Sequence, residues 1–246
     1  MAAKEKRSRK RHVQRELFNH GGRRKGAGRK PHGARAGTSH DARPVIGPSQ
    51  PLHVVLRVAA AVGNLRRRDT YHAFRKASIT VARRSGFRIL HLSIQRNHVH
   101  LLVEADTSLA LSRGMQAFQI SAARIINTAL GPDRFRRRRG SVFVDRYHLV
   151  VIRSPTQARH VLSYLLNNWR KHREDQHGAA KTWLVDPFSS GSSFDGWHEL
   201  EHGEAVGPVT PADKRLAVQP PQSWLLRTGW KLVGSISARE VPSKRA

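Results

Sequence analysis

Two histidines stand two residues apart in the segment Asn97-His98-Val99-His100-Leu101-Leu102-Val103-Glu104. Side chains alternate along a β-strand, so His98 and His100 share one face while Val99, Leu101 and Val103 share the other. Two imidazoles held side by side on a stiff strand can chelate one divalent ion. On spacing alone the pattern also fits ordinary surface or hydrogen-bonded histidines, of which a chain with 15 has many. A metal needs more than two ligands, and a second cluster offers one. His160, Tyr164, Asn168 and Lys171 follow one another at steps of four, four and three, along one flank of a helix. Tyr164 and Asn168 then stand one turn apart, so an amide oxygen can reach a metal while the phenol faces a substrate. A solvated polar helix face has the same spacing.

The elements that must position these residues are legible in the periodicity. His53–Val58 (HVVLRV) is a short β-branched run that reads as a strand. Asp69–Arg84 reads as a helix, capped by Asp69 or Thr70 and stopped at Gly86. Phe87–Ile94 and His98–Glu104 are strand-like and joined by the polar Gln95-Arg96-Asn97. Asp106 or Thr107 can cap a second helix, in which Leu111, Met115, Phe118, Ala122 and Ile125 form one buried stripe. Val142–Ile152 reads as a fourth strand. A third helix follows to about His172, with Ser154 as cap, Pro155 at the first position and Gln157 completing a Ser-x-x-Gln capping box. Its apolar side carries Ala158, Val161, Leu162, Leu165 and Trp169. The order strand, helix, strand, strand, helix, strand, helix predicts a ferredoxin-like βαββαβ α+β fold with an antiparallel sheet.

The remainder frames this core. Residues 1–50 hold 14 Lys/Arg against three acids and read as a flexible basic arm. Within it, Arg29-Lys30-Pro31 weakly resembles an AT-hook core, although a nonspecific phosphate-binding tail fits as well. Residues 51–175 form the domain. Residues 176–246 lose periodicity and read as an irregular C-terminal extension with Trp183, Trp197, Trp224 and Trp230 scattered through it. Across the chain, 45 Lys+Arg against 17 Asp+Glu give a formal charge of +28, so a polyanion is the expected partner. The absence of cysteine excludes disulfides and thiolate zinc sites and fits a reducing interior. No apolar stretch approaches the roughly 20 residues of a membrane helix, so no membrane partner is expected. Cytoplasm or nucleoid is the expected location.

The histidine segment, followed by Tyr164-Leu165-Leu166-Asn167-Asn168, resembles the single-tyrosine transposases of the HUH superfamily. These are the insertion-sequence and REP-associated type, and the resemblance spans about residues 53–172. It implies a ferredoxin-like fold, a divalent metal (Mg²⁺ or Mn²⁺), and cleavage and rejoining of single-stranded or hairpin DNA through a 5′-phosphotyrosine. Residue by residue, it implies His98 and His100 as the metal pair and Tyr164 as the nucleophile. Asn168 falls where relatives place a further polar ligand, often a longer glutamine. Of the three tyrosines, Tyr147 in the run Val144–Leu149 is the runner-up, flanked by Arg146 and His148, while Tyr71 opens the first helix. Lys171 could act as a nearby base. Arg66, Arg67 and Arg68, Arg136, Arg137, Arg138 and Arg139, and Lys171 are candidate DNA-backbone contacts, and aromatic side chains could stack unpaired bases. A homodimer is compatible with the family. The rival class is a non-catalytic, repressor-like nucleic-acid binder, which needs neither the metal pair nor the tyrosine.

Overall fold

The computed structural model describes residues 44–48, 50–133, 135–204, 206, 211 and 214–242. Apart from residues 44–48 and 50, the basic arm lies outside the described residues, as do its Arg29-Lys30-Pro31 motif and Arg134. The core follows the expected order: β1 (Leu52–Arg57), α1 (Arg68–Ala82), β2 (Phe87–Ile94), β3 (His98–Ala105), α2 (Ser108–Ala129), β4 (His148–Val151) and α3 (Pro155–Lys171). The strands lie in the order β2-β3-β1-β4, every neighbouring pair antiparallel. This is the interleaved βαββαβ sheet that the pattern predicts.

One face of the sheet is built for burial. The register pairs Leu52 with Val103, Val54 with Leu101 and Leu56 with Val99, and all six side chains are fully buried. Helices α1 and α2 cover this face, with Phe74 stacked on Phe118 at 6.0 Å between ring centroids. At Gly114 of α2 a Cβ would sit 2.2 Å from the Phe87 ring, so only glycine lets helix and strand approach this closely. The α2 stripe is buried at Leu111, Met115, Phe118 and Ala122, and ends on Ile126, with Ile125 only partly buried. Both isoleucines fall within the width of the stripe, so periodicity alone does not choose between them.

Three local expectations change. α1 starts one residue earlier than expected. Its cap position is Arg67, which makes no side-chain cap bond, while the Thr70 hydroxyl donates to the Arg67 carbonyl at 2.8 Å. The expected strand Val142–Ile152 pairs only over His148–Val151, plus an isolated bridge between Val58 and Phe143. Between these, Asp145 Oδ1 accepts from the Arg146 N–H at 2.7 Å, a local bond that competes with the ladder. In α3, Ser154 caps by accepting from Gln157 N at 3.2 Å, but the Gln157 amide reaches back to Arg153 N rather than to the cap residue.

Helix α3 crosses the opposite face of the sheet. Its buried side, including Leu162, Leu165 and Trp169, meets the C-terminal segment rather than a second sheet. That segment is irregular as expected, and its described residues form only the short α-helices α4 (His198–Glu201) and α5 (Trp224–Arg227) among 3₁₀ turns. It is held by single anchors. Trp197 and Trp230 are buried against α3's cluster. The buried carboxylate of Glu104 accepts from Gln222 N and Ser223 N at 2.9 Å each. Glu199 likewise accepts from Ala238 N at 2.9 Å and the Ser237 hydroxyl at 2.6 Å.

Candidate active site

The α3 face of the sheet carries the polar side chains of the strands. Because Arg57 pairs with His98, Val55 with His100 and His53 with Leu102, His53 on β1 and the histidine pair on β3 project to the same side. His98 Nε2 and His100 Nε2 lie 2.9 Å apart. Each ring is held from behind: Asn97 Oδ1 lies 2.7 Å from His98 Nδ1, and His53 Nε2 lies 3.0 Å from His100 Nδ1. With each Nδ1–H donated backward, both Nε2 lone pairs point at one another, an arrangement that a shared cation relieves. Burial, then His172 and Arg57, lowers the pKa of His98 to about 4. Burial, then His148 and His98, lowers that of His53 to about 4. Burial followed by His53 and His98 holds His100 well below its ordinary value. All three rings are therefore neutral at pH 7, the form that binds metal.

Tyr164 of α3 and the helix's C-cap residue His172 lie against this cluster. The Tyr164 ring meets His100 edge-on at 5.3 Å and His53 at 6.2 Å, while His172 meets His98 at 6.4 Å. Asn168 lies midway between them on the same flank. It differs from the solvated polar flank that spacing also allows: Asn168 is fully buried, and neither its Oδ1 nor its Nδ2 has a hydrogen-bond partner. An unpartnered buried amide costs on the order of 1–3 kcal/mol, which leaves its oxygen free to accept a partner. The adjacent Asn167 has a structural task, donating to the Ser237 carbonyl at 2.9 Å. Burial raises the Tyr164 pKa, leaving a neutral phenol at pH 7, and Lys171 Nζ stands 4.6 Å above its ring.

His98, His100, Tyr164 and Lys171 are thus gathered in one place, and Asn168 stands on the same flank of α3, one turn beyond Tyr164. Of the other tyrosines, Tyr71 is fully buried and donates to the Lys214 carbonyl at 3.1 Å, and Tyr147 belongs to the core under the first face. Among the described residues, no three His, Asp or Glu side chains form a metal-holding group by themselves. Two imidazoles with the Asn168 amide are the donor set the site offers. His53 escaped the sequence reading, because the signal, a histidine on the non-core phase of β1, needs the pairing register to become meaningful.

The candidate DNA-contacting arginines differ in how far the fold engages them. Arg66 is engaged with the buried Asp186 at 2.8 and 3.0 Å and with the Ile94 carbonyl at 3.1 Å. Arg138 donates to Asn127 Oδ1 at 2.9 Å. Arg67 stands 3.4 Å from Asp69 and Arg136 3.7 Å from Asp133, while Arg68, Arg137 and Arg139 are exposed. No helix among the described residues is long and apolar enough to cross a membrane.

A REP-associated tyrosine transposase bound to a REP hairpin is 15% identical, with a TM-score of 0.46 over 75% of this chain and 97% of that one. A candidate transposase from Deinococcus radiodurans R1 is 15% identical, with a TM-score of 0.33 over 58% of this chain and 100% of that one. No curated protein matches the sequence. Residues 49–168, a stretch that begins just before β1 and ends on Asn168, match the family described as "Transposase IS200 like". Over this stretch, which holds the histidine pair, Tyr164 and Asn168, the chain is similar to the IS200-like transposases.

Proposed function

We propose that the chain cuts and rejoins single-stranded DNA, with Tyr164 as nucleophile and with His98, His100 and Asn168 holding a divalent ion such as Mg²⁺ or Mn²⁺. The observation that carries this reading is the convergence of two fixed Nε2 atoms, 2.9 Å apart, with an unpartnered amide and a phenol on the helix above. A bound divalent cation would neutralise charge on the scissile phosphate oxygens. Tyr164 Oη attacks phosphorus as the bond to the 3′-oxygen breaks, giving a 5′-phosphotyrosine and a free 3′-hydroxyl, to which the phenolic proton passes. The ester conserves the bond energy, so attack by a 3′-hydroxyl rejoins the strand, returns the proton to Tyr164 and needs no ATP. Burial makes the phenol reluctant to ionise, and the Lys171 ammonium beside the ring offsets charge as it develops on Oη. With Asn97 Oδ1 and His53 Nε2 accepting from the Nδ1–H groups of His98 and His100, the Nε2 atoms of that pair would be free to hold the ion. The exposed Arg67, Arg68, Arg136, Arg137 and Arg139, together with the basic arm, supply the field that draws a single-stranded or hairpin substrate. Residues 51–175 form the catalytic domain on this reading.

The test is covalent trapping on labelled hairpin and linear oligonucleotides with Mg²⁺ or Mn²⁺, resolved on a denaturing gel. Wild type is expected to give a protein–DNA adduct. Tyr164→Phe, His98→Ala and His100→Ala are expected to give none while retaining DNA binding. An adduct that survives Tyr164→Phe but vanishes with Tyr147→Phe would overturn the assignment. Tight binding without any adduct or cleavage would favour the non-catalytic binder.

A further inference from the structure

Arg57 ends β1 on the α3 face, directly opposite His98 in the register of β1 and β3. Directly opposed residues of an antiparallel pair have Cβ atoms about 4.5–5.5 Å apart, so this arginine starts beside the outer histidine of the pair. Its strand end is pinned. Val58 N donates to the carbonyl of Asn97, the residue whose Oδ1 holds the His98 ring, at 3.0 Å, and the Arg57 carbonyl accepts from Val144 N at 3.2 Å. The side chain is exposed and, among the described residues, has no hydrogen-bond or ion-pair partner. Arginines that the fold uses are matched with a carboxylate: Arg66 with Asp186 at 2.8 Å, Arg159 with Glu240 at 2.9 Å and Arg170 with Asp175 at 2.9 Å. Nothing marks Arg57 among the chain's 45 Lys+Arg until the register sets it opposite His98.

The charge around the histidines is one-sided. Apart from neighbouring imidazoles, the side chains that depress their basicity are cations, Arg57 at His98 and Lys171 at His100, and no described carboxylate acts on His53, His98 or His100. The proposed donors, two imidazoles and an amide, are neutral as well. A divalent ion there would add to a field that is already positive, with no anion from the protein to balance it. Affinity for hard cations rises with the number of charged oxygen ligands, so the anion that completes this site arrives with the substrate. We propose that Arg57 is a further catalytic residue, which grips the non-bridging oxygens of the scissile phosphate that the ion binds. A guanidinium presents parallel N–H donors that match two phosphate oxygens, a geometry an ammonium does not reproduce. Tyr164 and Lys171 stand at the His100 end of the pair and Arg57 at the His98 end, so the phosphate is held from both sides while the phenol attacks. Charge that grows on its oxygens in the transition state then meets a fixed donor as well as the ion. Arg57 thus differs in task from the exposed Arg68 and Arg137, whose part is a diffuse field. The inference rests on the reading of the chain as a metal-dependent enzyme of single-stranded DNA.

The experiment uses the full chain with Tyr164→Phe, which cannot form the ester, and a fluorescein-labelled single-stranded oligonucleotide read by anisotropy in Mn²⁺ or in EDTA. If Arg57 and the ion hold one phosphate, the contribution of each depends on the other. Arg57→Gln should weaken binding about tenfold in Mn²⁺ and at most about twofold in EDTA, because only the ion seats the phosphate against the guanidinium. Arg68→Gln, which alters the field alone, should cost the same factor in both. Arg57→Lys keeps the charge without the fork and should recover part of the loss, and all three variants should melt at the temperature of the unsubstituted protein. An equal loss from Arg57→Gln in Mn²⁺ and EDTA makes Arg57 one more field charge and overturns the proposal. So does a loss that Arg57→Lys leaves undiminished, or one that comes with a lowered melting temperature. Mn²⁺ binding, by electron paramagnetic resonance, and adduct formation by the chain with Tyr164 intact are scored separately. Adducts and Mn²⁺ binding without a Mn²⁺-dependent loss at Arg57 sink this residue alone. The Mn²⁺-dependent loss without adducts sinks the Tyr164 reading alone. Failure to bind Mn²⁺ sinks the metal site and Arg57 with it.

Discussion

On one face of the sheet Leu52, Val54, Leu56, Val99, Leu101 and Val103 lie beneath two helices, all apolar and fully buried. On the other, the same strands present His53, His91, Ser93, His98, His100 and Glu104 to one helix and an irregular segment. The first face is an ordinary core and sets the register. The second buries apolar groups too, Leu90 and Leu102 among them, but mixes them with buried polar ones, and on the helix above it neither polar atom of Asn168 has a partner. Consistency between local pattern and fold is expected of a core, while departures from it collect where the molecule acts.

The comparison predicts that the first face fails by unfolding and the second by losing chemistry. The largest effect belongs to Phe118→Ala. It removes a fully buried ring stacked on Phe74 and leaves a cavity, which should lower stability by about 3–5 kcal/mol. That is a large share of a typical domain's stability, so urea unfolding should show a clear fall in midpoint. Tyr164→Phe, on the other face, should leave the midpoint within about 0.5 kcal/mol of wild type. If both variants shifted stability equally, the division between the faces would be wrong.

A smaller effect separates the faces by pH. His91 is pushed from 6.5 to about 4 by burial, partly opposed by Asp195. Above pH 6.5 the ring is neutral in both folded and unfolded chains and contributes no pH dependence. As pH falls from 6.5 towards 4, the unfolded chain takes up a proton that the folded one refuses, so stability is lost as pH falls through that window. The shift corresponds to roughly 3 kcal/mol at the acid end. His91→Gln, which cannot titrate, should lose less stability than wild type between pH 7 and pH 4.5 in urea titrations. Parallel pH profiles for the two proteins would show that His91 protonates as easily folded as unfolded.

How much of this was legible before the structure divides along the same line. The apolar face was readable, since β-branched alternation and the α2 stripe depend on local period alone, as did the caps at Thr107 and Ser154. The pair His98 and His100 and the turn from Tyr164 to Asn168 were readable as patterns for the same reason. His53 and Asn97 were not identified, because what they do depends on a neighbouring strand's register and on a ring's tautomer. The engagement of Arg66 was also hidden, since its partner Asp186 lies 120 residues away. The last ladder of β4 was overestimated because the Asp145 side chain diverts the backbone locally. The C-terminal cover was opaque, as single buried anchors such as Trp197 and Glu199 leave no period to detect.

The smallest predicted effect is the sharpest, because it sets two adjacent residues of α3 against each other. Asn167 donates to the Ser237 carbonyl, so Asn167→Leu strands that acceptor and should lower stability by about 1 kcal/mol. Asn168 is as deeply buried and has no partner for either polar atom. Replacing it with leucine, which has similar bulk and nothing to satisfy, should raise the stability of the metal-free protein by about 1 kcal/mol. The same substitution removes a proposed metal ligand, so Mn²⁺ affinity, followed by electron paramagnetic resonance, should fall. Opposite signs from neighbouring asparagines would mean that one holds the fold while the other is held, at a cost, for a ligand. Equal losses of stability from both, with Mn²⁺ affinity unchanged, would make Asn168 a packing residue and leave the histidine pair without its third donor.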